Sequence, residues 1–299
     1  MNEYRGAALR LLWWATLAEL LLVRVVSRVG IFIPKDGMVL GIYRTVIAVG
    51  EVAFSFSLFM GVLLLGLALA GHRWWAWAPG AVAGVLVMLA PGPAPPPGWS
   101  MAVALVLAFT VALLGAGALR ASAGDRWLRG ALGVILAVHV VGYLVSAAQL
   151  GWTALDLPGE APLAGVLLSA GELLALAAPV LLALRGVRLK HAAIGLGSAA
   201  ALGAAFLVNA DITAILAMYS LGFTLSWPAV LYLIALGLGV PGLIGLVKRD
   251  RVRGLSLGLL FIAGYTLGVN QQHLLVLAGW ALLALPAREA VTTAKEVPV

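Results

Sequence analysis

The feature that most constrains this chain is the length of its apolar runs. Stretches such as VLGIYRTVIAVGEVAFSFSLFMGVLLLGLALA and MAVALVLAFTVALLGAGAL recur from end to end, with short polar breaks between them. A helix crosses the hydrocarbon core of a bilayer with about 20 apolar residues. In lipid no water satisfies backbone N–H and C=O groups, so a continuous apolar run must close its hydrogen bonds within its own helix. A membrane β-barrel would instead alternate apolar and polar residues at period two. Composition agrees with the helical reading: 63% of the 299 residues are apolar and 10% are charged. The mean hydropathy is +1.08. This balance excludes a water-soluble globule, a disordered chain and a disulfide scaffold. The fold class expected is all-α, a polytopic helical membrane bundle.

Reading for spanning runs gives ten segments: Leu9–Phe32, Val39–Ala70, Trp74–Ala90, Met101–Leu119, Trp127–Leu150, Leu163–Leu184, His191–Val208, Ser226–Val247, Leu255–Val269 and His273–Leu285. The last two are short and read equally as one hairpin, 254–287, around Asn270-Gln271-Gln272. The second is long enough to project outward for two or three turns. Charge tests the count. Of the 19 basic residues, all but Arg24, Arg28, Lys35 and Arg44 fall on one side when the loops alternate. That is the positive-inside pattern. It predicts a cell-membrane protein with both termini cytoplasmic, as a single membrane domain over residues 1–299. Gly50-Glu51 and Gly171-Glu172 align at an offset of four segments, with His72 near His191. This hints at two parallel repeats, 1–122 and 123–247.

With no cysteine in the chain, iron–sulfur ligation, thiolate zinc and cysteine nucleophiles are excluded. The net charge of +7 is explained by loop orientation, and no nucleic-acid motif accompanies it. HExxH and a P-loop are also absent from the sequence.

Ionisable residues within apolar runs are expensive, about 2.5–3.5 kcal/mol each on insertion scales, and so they carry the functional information. Glu19, His139 and Glu172 fall near the middle of their segments, and Glu51 lies at mid to outer depth. Together they predict a polar centre that relays protons or holds a substrate or ion. The alternative is that each pairs locally and only locks the bundle. Arg24 and Arg28 share a helix face, as do Arg44 and Glu51. Either they form an anion pocket open to the outside, or they snorkel to outer headgroups. A b-type haem would need two axial ligands at one depth. The histidines available are His72, His139, His191 and His273, and of these only His72 and His191 share a level. The Gly- and Ala-rich segment around Gly195–Ala205 predicts close backbone contact and a central position.

The function these residues imply is small-solute transport across the membrane, proton-coupled and favouring an anionic substrate, with the lipid bilayer and a small molecule as partners and no cofactor. The alternative is the membrane subunit of a respiratory or redox complex, binding quinol or b-type haem and a peripheral partner subunit.

Overall fold

In the computed structural model of the chain the described residues are 2–26, 37–70, 73–90, 95–122, 126–154, 193, 197, 200, 243–248, 250–263 and 272–285. Helix α1 (Asn2–Leu17) runs directly into a π-helical segment, Ala18–Val25. It is followed by α2 (Met38–Ala70), α3 (Trp74–Met88), α4 (Pro97–Ala121), α5 (Arg126–Ala154), α6 (Arg251–Ala263) and α7 (Gln272–Ala284). No strand occurs among the described residues. The stretches long and apolar enough to cross a membrane are Glu3–Val23, Met38–Ala70, Pro97–Ala121 and Leu128–Gly151. Helix α3, with 15 residues, and α7, with 13, reach only about 20–22 Å at 1.5 Å per residue. The hydrocarbon core is about 30 Å thick. The expected segments Leu163–Leu184, His191–Val208 and Ser226–Val247, and with them the repeat, lie outside the described residues except at isolated positions.

Helix starts follow local chemistry. Gly37 takes a positive φ of 83°, where a Cβ would be strained, and α2 begins at the next residue. Pro97 opens α4, where its missing N–H costs nothing. The Trp99 indole N–H then donates back to the Leu86 carbonyl at 3.0 Å, tying the end of α3 to the start of α4.

Close approaches at glycines fix the register of neighbouring helices. A Cβ at Gly61 would stand 2.9 Å from Leu12, and one at Gly50 would stand 2.7 Å from Leu22. Helices α1 and α2 are therefore antiparallel. Gly66 against Ala76 and Gly84 against Phe59 do the same for α2 and α3. Gly115 against Leu136 and Gly151 against Met101 do it for α4 and α5. Helix α6 runs parallel to α1: Arg5 lies within electrostatic reach of Asp250 and Arg253, while further along both helices the Trp13 indole N–H donates to the Leu255 carbonyl at 3.2 Å and Gly258 faces Trp13. Arg5, Arg10, Arg73, Arg120, Arg126, Arg129, Lys248, Arg251 and Arg253 consequently gather toward one end of the bundle, while Arg44 stands toward the other.

The short last helix is the centre of the described fold. Helix α7 packs on α1, α2, α4, α5 and α6, and every residue from Leu274 to Leu285 is buried, with Trp280 at 0% exposure. A helix apolar all round belongs inside a bundle. Its C-terminal carbonyls would be orphaned in that setting. Arg5, itself 7% exposed, reaches in and donates to Leu282 O at 3.2 Å and Leu285 O at 2.9 Å. The bundle's outer surface is apolar: Trp14, Leu21, Val52, Phe56, Val85, Phe109 and Val134 are each more than half exposed. Water would penalise such a surface, and lipid would not. The first turns of α2 project beyond the packing, with residues 38–49 exposed or half-buried.

Candidate functional site

Two of the expected site residues are buried. Glu19 is 5% exposed and His139 is 0% exposed. They reach burial by different routes.

Glu19 lies in the π-helical segment Ala18–Val25. A π turn inserts one residue into the i→i+4 ladder, which turns the following side chains to a new face, and such turns concentrate at functional positions. One turn earlier, Thr16 is fully buried and its hydroxyl donates back to the Leu12 carbonyl at 2.8 Å. That back-bond competes with the helical ladder and tends to bend it. The π-helical backbone packs tightly on α2: a Cβ at Gly50 would meet Leu22 Cβ at 2.7 Å and Val23 Cγ2 at 3.0 Å. Glu19 thus sits on a π-helical stretch whose Leu22 and Val23 lie directly against Gly50 of α2.

His139 belongs to the buried stripe of α5, with Leu132, Ile135, Leu136, Tyr143 and Ala147. The spacing of three and four places them on one face, which packs on α4 and α7. The His139 ring makes a 2.8 Å hydrogen bond to the Ile135 carbonyl through Nδ1. A carbonyl only accepts, so Nδ1 carries the proton, and in the neutral ring Nε2 is the acceptor nitrogen.

Glu19 and His139 do not share a level. Helix register puts Glu19 opposite residue 53 or 54 of α2. The contact of Gly117 with Leu69 carries that level to residue 101 or 102 of α4, and Met101 stands against Gly151 of α5. His139 is twelve residues short of Gly151, or roughly 18 Å along the helix. Among the described residues the apolar stretch runs from Glu3 to Val23, with Glu19 in its second half. His139 sits at the middle of Leu128–Gly151.

Arg44 and Glu51 are exposed on the part of α2 where the projecting turns meet the bundle. Seven residues apart, they share a face as expected. Arg24 lies in the π-helical segment at the same end of the bundle, and only its backbone is described. Arg28, His72, Glu172 and His191 lie outside the described residues. His273 is the second residue of α7, again with only its backbone described. The described residues therefore bring Glu19, Arg24, Arg44 and Glu51 to one end of the bundle and leave His139 apart from them. Among the described residues no group of three metal-ligating side chains forms. Of the Gly- and Ala-rich segment, Ala193, Gly197 and Ala200 are described, and all three are exposed.

Arg5 is a buried charged residue that the sequence does not single out. It counts there as one more inner basic residue. The signal was available in its place one turn from the chain start, just before an apolar run, but nothing in the sequence points it at the end of α7. Compared with protein-family models, with curated proteins and with solved structures, the chain matches none.

Proposed function

We propose that the protein is a proton-coupled transporter of a small anionic solute in the cell membrane, with ten spans and both termini cytoplasmic. The observation that carries the reading is Glu19. It is a carboxyl group at 5% exposure on a π-helical turn of the first helix, at the end of the bundle that also holds Arg24, Arg44 and Glu51. Keeping a carboxyl in an apolar bundle is costly and needs a compensating use. A group that takes up and releases a proton as its surroundings change meets that requirement. The arginines at the same end give a positive field that attracts an anion. The opposite end is basic as well, so the anion is drawn toward the protein from either face.

The test uses proteoliposomes on a sensor electrode, with an imposed pH step and a panel of carboxylate, phosphate and sulfonate anions. Wild type should show a pH-dependent current with at least one of them. Glu19→Gln keeps the shape and removes the titration, so it should bind the same anion and lose the pH dependence. Equal pH profiles for the two proteins would remove Glu19 from the coupling. The redox reading rests on His139, whose Nδ1–H bond to Ile135 presents Nε2 as the ligand nitrogen. A Soret band from protein purified out of its native membrane would move the assignment to that reading.

A further inference from the structure

The outward face of α1 carries a groove of about 270 Å³ lined by Leu9, Arg10, Trp13, Trp14, Leu17 and Leu255. Its floor is rigid. The Trp13 indole is tethered to the Leu255 carbonyl at 3.2 Å, and it lies over Gly258, where a Cβ would stand 3.3 Å from the ring. Its wall is Trp14, 65% exposed. Five of the six lining residues are apolar. The exception is Arg10, which is exposed and stands toward the end of the bundle where Arg5, Arg73, Arg251 and Arg253 gather.

The geometry points to a binding site for one anionic phospholipid of the leaflet at the basic end of the bundle. Arg10 and Leu17 are seven residues apart, about 10 Å along the helix. Arg10 lies two turns inside Glu3, where the apolar span begins. From there a guanidinium extends its apolar stem along the groove and its charge toward the headgroups. Positive charge at the headgroup end and an apolar trough running toward the bilayer centre match a phosphate and the first part of its acyl chain. A neutral zwitterionic lipid fills the trough equally well but gains less from Arg10. A soluble anion gains from Arg10 and nothing from the trough. The exposed indole of Trp14 suits the boundary between the two regions.

The experiment is native mass spectrometry of the intact protein released from detergent, after incubation with equal amounts of dioleoyl phosphatidylglycerol and dioleoyl phosphatidylcholine. The expected result for wild type is one retained lipid with the anionic form preferred. Arg10→Gln should lower that preference about fivefold, the value of one basic residue at an anionic surface. Arg129→Gln removes an exposed charge from the same end of the bundle, outside the groove, and should leave the preference unchanged. Leu17→Trp fills the trough and should reduce adducts of both lipids together. A melting curve accompanies each variant. If Leu17→Trp does not accumulate as folded protein, the comparison of Arg10 with Arg129 decides alone. An unchanged preference in Arg10→Gln overturns the proposal. So does an equal loss in Arg129→Gln, which would mean that the lipid responds to the general field of the basic end.

Discussion

Replacing Arg5 with methionine keeps a long, flexible apolar side chain in place and removes both donors to α7. The carbonyls of Leu282 and Leu285 now accept from Arg5 at 3.2 and 2.9 Å. Without it they end in a layer where their neighbours are buried apolar residues. A buried acceptor left without a donor costs about 1–3 kcal/mol. Losing a cation from a helix C-terminus adds about 0.3–1 kcal/mol, up to about 2 where the site is partly buried. Against this stands the relief of no longer desolvating a guanidinium, which is why buried ion sites are sometimes dispensable. Here two charge-assisted bonds converge on one helix end, and such bonds are roughly twice as strong as neutral ones. The loss is therefore expected to dominate, with Arg5→Met less stable than wild type by about 2–4 kcal/mol. Arg5→Lys restores one donor group without the fork geometry and should fall between the two. The assay is unfolding in detergent followed by tryptophan fluorescence. Trp280, at 0% exposure within α7, makes the central helix visible to it. An Arg5→Met protein that unfolds with wild type would show that the C-terminal carbonyls of α7 find other partners at no cost, and the reasoning would fail.

Three further expectations follow from contacts in the fold. Gly66→Ala puts a methyl group 2.7 Å from the Ala76 carbonyl oxygen, a backbone atom that cannot swing aside, and should destabilise by about 1–3 kcal/mol. Gly130→Ala meets nothing within 4 Å and should be neutral or stabilising by up to about 1 kcal/mol through helix propensity; the reverse order in a melt would contradict the α2–α3 crossing. Single cysteines at Gly98, exposed with open space around it, and at Arg126 and Arg251, both exposed, should label from opposite sides of a sealed membrane, Gly98 from outside intact cells. Labelling of all three from one side would break the antiparallel order of α4, α5 and α6. Trp99→Phe removes the indole donor to Leu86 O and should cost about 0.5–1.5 kcal/mol of stability, read by the same unfolding assay; no loss would mean that the turn between α3 and α4 is held by other contacts.

What the sequence made legible is what hydropathy encodes. The run Val39–Ala70 appears as Met38–Ala70, including the projecting turns, and Trp74 starts α3 as expected. Among the described residues the basic ones other than Arg24 and Arg44 collect toward one end, because short connections force neighbours to run antiparallel. What stayed hidden is whatever depends on which apolar surface meets which. Lipid and protein interior are both apolar, so a short run such as Leu274–Leu285 carries no mark of its central position. The Gly- and Ala-rich segment after His191 lies outside the described residues except at Ala193, Gly197 and Ala200, which are exposed. Among the described residues the close crossings are made by isolated glycines within ordinary apolar runs: Gly61 on Leu12, Gly66 on Ala76 and Gly115 on Leu136. One small residue at the crossing point is enough to bring two helices together. The π turn at Glu19 was equally invisible, since it is a property of the backbone ladder.

These hidden features share one cause. Inside an apolar bundle a helix is free to end or change its ladder only where a polar group satisfies the carbonyls and N–H groups released. Helix α7 ends short of a full crossing, and Arg5 is the group that meets its last carbonyls. The first helix changes from α to π at Ala18, and Thr16 and Glu19 are the buried polar side chains at that change. The buried polar residues of α1 are thus its structural exceptions as well. Arg5 serves a helix end and has an acceptor for its charge. Glu19 is a carboxyl at 5% exposure on the π-helical segment itself. Irregular π turns concentrate at functional positions, which is the physical reason to look for the function at Glu19 before Arg5.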